Sequence, residues 1–181
     1  AMAVRHLRFT PDKAFAAILW MLDRADPRAP DLHTILKACY FADVTHLNAY
    51  GRPIFGASYR AMRYGPVPVQ IYEMLKAEPY WLAELGVESY PWTLRGYRIA
   101  RQSNTPPNTD TLSRSDLDAL AHGFETAREM DFDERTAATH GTDWQRAALG
   151  WMDYRDMVRA DNPDREAIIE DLEDVGTRLA L

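Results

Sequence analysis

The stretch from Asp31 to Gly51 constrains the fold most, because it has the features of one long, capped helix. Asp31 is a preferred N-cap residue, and Gly51 followed by Pro53 is a typical helix end. Six residues between these ends share one stripe at helical spacing: Leu32, Ile35, Leu36, Cys39, Asp43 and His46. A helix of this length must bury its apolar stripe against other elements, which favours a mainly helical domain.

Further helix starts carry the same kind of signal. Thr10 before Pro11 predicts the N-cap and first residue of a helix. Ser113 with Asp116 three residues later predicts a capping box at the start of another. The remaining predicted helices are a final helix from Pro163, capped by Asn162 or Asp161, and short helices over residues 133–139 and 144–149.

Extended structure is predicted only in the middle of the chain. Residues 89–94 and 97–101 flank Arg95 and Gly96 and predict a small hairpin. Residues 53–64 lack a helical period and indicate extended backbone or a short helical turn. Residues 65–68 (GPVP) are expected to form a rigid turn whose prolines open a helix. The predicted fold class is therefore mainly α (α+β): a compact helical domain with a small β hairpin or sheet.

Length and composition favour one domain. The chain has 181 residues, of which 46% are hydrophobic, so residues 9–181 are predicted to form a single domain. Residues 1–8 are expected to be a flexible N-terminus, with an Ala before Met that indicates a non-native addition. The longest apolar run, residues 14–22, is far shorter than the roughly 20 residues of a membrane span. A single cysteine, Cys39, and no apolar signal core favour a cytoplasmic location.

Charge argues against nucleic acid as a partner. The net charge is −6, with 27 acidic and 21 basic residues, so the summed field repels phosphate backbones unless the cations are clustered. The basic residues form only small groups: Arg5, His6 and Arg8, then Arg95, Arg98 and Arg101. Acidic residues collect between Asp161 and Asp174, where they form either a solvated helix face or a surface for a basic partner.

Asp43 and His46 form the strongest candidate for chemistry. They lie three residues apart on the predicted helix and so project together, as two metal ligands or an acid with its imidazole would. The alternative is a buried polar pair that ties the helix to a loop, and it is favoured because no other histidine falls in ligand spacing. Cys39 with His140 as base is similarly weak, because Cys39 lies on the apolar stripe. We predict no catalytic residues, metal or cofactor.

Residues 59–72 differ from the rest of the chain in composition. Tyr59, Met62, Tyr64 and Tyr72 surround the rigid Gly65-Pro66 pair. Aromatic rings and a thioether on stiff backbone could form a binding surface at low entropic cost, and packing into the core is an equally good interpretation of the spacing.

The same residues carry a family likeness. Four stretches occur in order: residues 9–15 (FTPDKAF), 36–43 (LKACYFAD) with His46, 50–54 (YGRPI), and 59–67 (YRAMRYGPV) with Tyr72. A later pair, Thr139-His140 and Asp143-Trp144, completes the pattern. The chain thereby resembles the Panacea domain, the SocA-like family of antitoxins, over about residues 9–154. Cys39 stands where the family tolerates aliphatic residues, and the predicted hairpin with the Pro106-Pro107 loop has no counterpart in the pattern.

The resemblance implies a helical antitoxin that is encoded beside a toxin gene and neutralises the toxin by direct contact. In the SocA branch, such a protein is also an adaptor that delivers its toxin to an AAA+ protease of the ClpXP type. No cofactor, nucleic acid or membrane is implied. The candidate partner-binding residues are Asp43, His46, Tyr50, Tyr59, Met62, Tyr64, Gly65, Pro66, Tyr72, His140 and Trp144. Two alternatives stay open: a metal- or His-dependent enzyme using Asp43, His46 and His140, and a transcriptional autoregulator.

Overall fold

A computed structural model describes residues 2–180 and has eight α-helices and two antiparallel two-stranded sheets. The long helices are α1 (Pro11–Ala25), α2 (Leu32–Tyr50), α5 (Arg114–Glu129) and α8 (Arg165–Ala180). The short helices are α3 (Val69–Leu75), α4 (Leu82–Leu85), α6 (Phe132–Ala138) and α7 (Thr142–Ala147). The strands are β1 (Tyr59–Met62), β2 (Gly65–Pro68), β3 (Trp92–Arg95) and β4 (Arg98–Arg101). The predicted fold class, mainly α with small β hairpins, is confirmed.

The caps that the sequence predicts are mostly present. The Asp31 carboxylate accepts the Thr34 N–H at 2.7 Å at the start of α2, and Gly51 ends that helix with a φ of +82°. Ser113 and Asp116 form the predicted capping box of α5. Thr10 occupies the N-cap position of α1, but its side chain makes no capping hydrogen bond. Helix α8 begins at Arg165, after the Asn162 side chain accepts the Asp164 N–H at 2.9 Å.

Helices α2 and α5 cross at close range in the main core. A Cβ atom added at Gly123 of α5 would lie 2.6 Å from the Ala38 carbonyl oxygen and 2.9 Å from the Ala42 nitrogen. The absence of a side chain at Gly123 therefore allows the two backbones to touch. Helix α1 packs its buried face, which includes Ile18 and Leu22, into the same core.

A second, smaller core joins the two ends of the chain. It contains Tyr40 and Leu47 of α2, Tyr59 of β1, and residues near the C-terminus such as Tyr154 and Leu172. Val4 and Leu7, which lie in the segment 1–8 that was predicted to be flexible, pack in this core: Val4 is buried and its carbonyl accepts the Tyr154 N–H at 2.8 Å.

The prediction for residues 65–68 was wrong, because they form strand β2 and not a turn that opens a helix. The turn is at Arg63 and Tyr64, and β2 pairs with β1 from Met62↔Gly65 to Tyr59↔Pro68. Pro66 and Pro68 alternate with Gly65 and Val67 along the strand. The proline nitrogens, which carry no hydrogen, therefore face away from β1. The strand is therefore compatible with two prolines, and helix α3 begins only at Val69.

The second hairpin, β3–β4, is confirmed, with Gly96 and Tyr97 as its loop residues. Over residues 2–180, no helix combines the length and apolar character needed to cross a membrane.

Candidate partner-binding groove

A groove of about 990 Å³ opens between α2, the tips of both hairpins and the start of α6. We call it the hairpin groove. Four aromatic rings and one thioether line it: Tyr64, Tyr72, Tyr97, Phe132 and Met62. Tyr97 is 82% exposed, Tyr64 48% and Phe132 42%. Exposed rings of this size on a concave surface are typical of a site that buries them against a ligand or another protein.

The tip of the β1–β2 hairpin is held by side chains that donate hydrogen bonds to its carbonyl groups. Four such bonds are formed: Trp144 Nε1 to Met62 (2.8 Å), His140 Nε2 to Arg63 (3.1 Å), His33 Nε2 to Tyr64 (3.1 Å) and Lys37 Nζ to Pro66 (2.7 Å). The His140 and Trp144 rings also stack, with centroids 3.7 Å apart. Because its main chain is fixed in this way, the hairpin can present its side chains at low entropic cost.

His33 can link Arg135 to the hairpin because its ring stays neutral, so that one nitrogen accepts and the other donates. Its Nδ1 accepts the Arg135 Nε–H at 2.9 Å, which leaves the proton on Nε2 for the Tyr64 carbonyl. Burial, together with the neighbouring Lys37 and Arg135 charges, lowers the pKa of His33 to about 4. The imidazole therefore links α6 to the hairpin at neutral pH.

Gly65 is required where the hairpin passes over α2. Its φ is +115°, in the region that side chains rarely adopt. An added Cβ would lie 2.5 Å from Thr139 Oγ1 and 2.7 Å from Lys37 Cε. Gly65 thus allows the strand to lie close to Lys37, whose Nζ donates a hydrogen bond to the Pro66 carbonyl.

Lys37 forms a cationic floor of the hairpin groove. Its side chain is 1% exposed, and the only hydrogen bond it makes within residues 2–180 is to the Pro66 carbonyl. Burial lowers the pKa of Lys37 to about 7, with a contribution from the Arg135 charge. A lysine buried without a carboxylate partner is uncommon.

Asp43 lies in the interior and organises the segment that leads into β1. Its carboxylate accepts the Ile54 N–H at 2.7 Å, the Phe55 N–H at 3.4 Å and the Tyr59 hydroxyl at 2.5 Å. Burial raises the pKa of Asp43 to about 6, although these three hydrogen bonds oppose the rise. The interpretation of Asp43 as a buried residue that ties the long helix to a loop is confirmed.

His46, one turn later in α2, also ties the helix to the segment that follows it, and it is not paired with Asp43. Its Nδ1 donates to the Arg52 carbonyl at 2.7 Å, and its Nε2 lies 2.8 Å from Ser115 Oγ. Burial lowers the pKa of His46, which favours the neutral ring. Asp116 Oδ1 has no hydrogen bond of good geometry, and its contact is an ion pair with Arg52 NH2 at 3.2 Å.

The structure divides the sequence-derived candidates into four groups. Met62, Tyr64, Gly65 and Tyr72 line the hairpin groove. His140 and Trp144 support the hairpin from α6–α7, and Pro66 is buried in β2. Asp43, His46 and Tyr59 are buried and offer no surface to a partner. Tyr50 is exposed at the end of α2 and does not line the groove.

Sequence reasoning did not identify several residues of the groove. They are Lys37, Arg63, Arg95, Arg98 and Arg135, with His33, Tyr97 and Phe132. Arg95 and Arg98 were visible only as a short basic group, because the tertiary fold is needed to bring β3–β4 beside α2 and α6.

The residues proposed for an enzyme do not converge. Asp43 and His46 bond to different main-chain groups of the segment after α2, at Ile54 and Arg52, and His140 is bonded to the Arg63 carbonyl. Cys39 is buried, and burial raises the pKa of its thiol well above the usual value, so it is a core residue. Within the described part of the chain, no three His, Cys, Asp or Glu side chains cluster as metal ligands.

The fold and groove define a mainly helical domain that displays a rigid aromatic hairpin over a cationic floor. The family model described as "Antitoxin SocA-like, Panacea domain" matches residues 35–145. The chain therefore belongs to this antitoxin family, and the matched region runs from α2 to α7 and includes both hairpins. Neither the curated proteins nor the solved structures include a match to this chain.

Proposed function

We propose that this protein is an antitoxin that neutralises a protein toxin by binding it directly at the hairpin groove. The observation that supports this proposal best is a set of three exposed rings around one groove, Tyr64, Tyr97 and Phe132. Tyr64 stands on the hairpin whose carbonyl groups are held by side-chain donors. Large aromatic anchors that are already ordered before binding contribute most of the energy in many protein interfaces. Membership of an antitoxin family supports the choice of a toxin as the partner.

The second part of the proposal is that the bound toxin is delivered to an AAA+ protease of the ClpXP type. Its support is the likeness to the SocA branch. If the protein is an adaptor, the toxin's half-life should fall when the antitoxin is co-expressed, and only in cells that contain the protease. Equal half-lives with and without the protease would reduce the proposal to simple sequestration.

The test of neutralisation is co-expression with the neighbouring gene product that arrests growth. Wild-type protein should restore growth and bind the purified toxin. Tyr97→Ala together with Tyr64→Ala should weaken binding by about 2 kcal/mol or more, roughly thirtyfold, because both rings are anchors. The matched control is Tyr80→Ala, an equally large ring that is 64% exposed and lies outside the groove.

The melting temperature of each variant separates loss of the surface from loss of the fold. Tyr64, Tyr80 and Tyr97 are exposed, so we expect all of these variants to melt close to the wild type. Undiminished toxin binding by the Tyr64→Ala/Tyr97→Ala protein would show that the interface lies elsewhere.

A further inference from the structure

Charge is distributed unevenly between the hairpin groove and the rest of the protein. The whole chain carries 27 acidic and 21 basic residues, yet the groove is lined by five cationic side chains and one carboxylate. The cationic residues are Lys37, Arg63, Arg95, Arg98 and Arg135. An acidic protein that concentrates cations in one aromatic concavity creates a local field that attracts an anion.

The one carboxylate in the groove does not neutralise this charge. Asp31 caps α2 through the Thr34 N–H at 2.7 Å, and its other oxygen lies 3.6 Å from Arg135 NH2. Arg63 and Arg95 are exposed and form no salt bridge with any residue in the described range 2–180. The groove therefore has two unpaired cations at its rim.

The floor of the groove adds a second, independent observation. Lys37 is buried with a single carbonyl as its hydrogen-bond partner. No acidic residue of the described chain forms a salt bridge with Lys37, so the charge of its protonated form adds to the positive field of the groove. An ideal Cβ at Gly65 would lie 3.2 Å from Lys37 Nζ, so the strand covers the amine and a ligand meets its field rather than the amine itself.

We propose that the hairpin groove binds an acidic segment of the toxin, with a carboxylate directed at the rim cations Arg63 and Arg95 and an apolar or aromatic side chain between Tyr64, Tyr72 and Phe132. This inference rests on the proposed function and names the chemistry of the partner. The groove volume of about 990 Å³ accommodates several residues of a peptide, and its apolar walls suit a segment that is not purely charged. The acidic helix α8 does not line the groove, so it is not the surface that this proposal uses.

The experiment compares two double charge reversals of equal size. Arg63→Glu with Arg95→Glu alters the rim, and Arg5→Glu with Arg114→Glu makes the same change in net charge at exposed positions outside the groove. Affinity for the purified toxin is measured by calorimetry at low and high NaCl. We expect the rim variant to bind about tenfold or more weakly at low salt, and the control variant to stay within about twofold of the wild type. Reversal of the matching toxin carboxylates to lysine should restore binding to the rim variant.

The outcomes are distinct. Wild-type affinity in the rim variant would overturn this inference and leave the proposed function standing, because the toxin would still be bound. If the wild-type chain neither binds nor neutralises the toxin, the proposed function fails and this inference fails with it. The last experiment titrates the protein with ATP and with inorganic pyrophosphate. Saturable binding by the wild type that the rim variant lacks would assign the groove to a small phosphorylated ligand and overturn the acidic-segment proposal.

Discussion

Replacement of Gly123 by alanine tests the packing of the fold, because helix propensity and tertiary structure predict opposite signs. Glycine in the middle of a helix is less favourable than alanine by about 1 kcal/mol, so propensity alone predicts that Gly123→Ala is stabilising. In the structure, the new Cβ would lie 2.6 Å from the Ala38 carbonyl oxygen and 3.1 Å from the Ala42 Cβ. Both neighbours belong to α2 and cannot swing away as a long side chain could.

The expected loss of stability in Gly123→Ala follows from the clash. Ordinary contacts between such atoms are nearly an ångström longer than 2.6 Å, so α2 and α5 must separate along their main contact. Overpacking of this kind costs about 1–3 kcal/mol, and the propensity gain offsets roughly 1 kcal/mol of it. The expected net loss is about 0–2 kcal/mol, which for a chain of this size lowers the melting temperature by up to about 8 °C.

Gly176→Ala in α8 is the matched control. A Cβ there would meet only the Val4 side chain, at 3.5 Å or more, which is ordinary van der Waals contact. We expect it to stabilise the protein by about 0.5–1 kcal/mol. Thermal and urea unfolding of both variants measures the difference. If Gly123→Ala is as stabilising as Gly176→Ala, the close crossing of α2 and α5 is wrong.

Three other predictions follow from the buried groups. Burial raises the pKa of Asp43 to about 6, so the folded protein holds this proton more tightly than the unfolded chain does. The wild type therefore loses stability as the pH rises from about 4 to 6. Relative to wild type, Asp43→Asn should gain up to about 3 kcal/mol across that window in urea titrations. Burial lowers the pKa of Lys37 to about 7, so wild-type stability should rise relative to Lys37→Met between about pH 7 and 10, and parallel curves would contradict a buried ammonium. Trp144→Phe keeps a ring beside His140 but loses the bond to the Met62 carbonyl, and should cost about 1 kcal/mol in chemical unfolding.

The helical framework was predictable because its signals are local. The Asp31 and Ser113 caps and the Gly51 stop each depend on residues within one turn, and all three are present. The strand at Gly65–Pro68 was not predictable in this way. Its register depends on partners in β1 and on donors from α2, whereas proline and glycine by themselves favour a turn.

The candidate site was only half predictable for a related reason. Composition identified the tyrosines around Gly65 but could not separate Tyr64, which faces the groove, from Tyr59, which is buried against Asp43. Tyr59 lies on the buried face of β1 and Tyr64 lies in the turn, and neither the strand nor the position of its turn had been recognised. The cations come from α2, the hairpins and α6, and no spacing rule joins segments that far apart in sequence.

The residues that support the β1–β2 hairpin and the residues that its turn presents to the groove have different tasks. His140 and Trp144 bind main-chain carbonyls, and Gly65 leaves room for Lys37, so none of these contacts depends on which side chains stand at positions 62–64. Met62, Arg63 and Tyr64 can therefore change without loss of the support beneath them. Because the support does not depend on the side chains of the turn, membership of the family leaves the chemistry of the partner open, and the proposal for that chemistry rests on the charge of the hairpin groove.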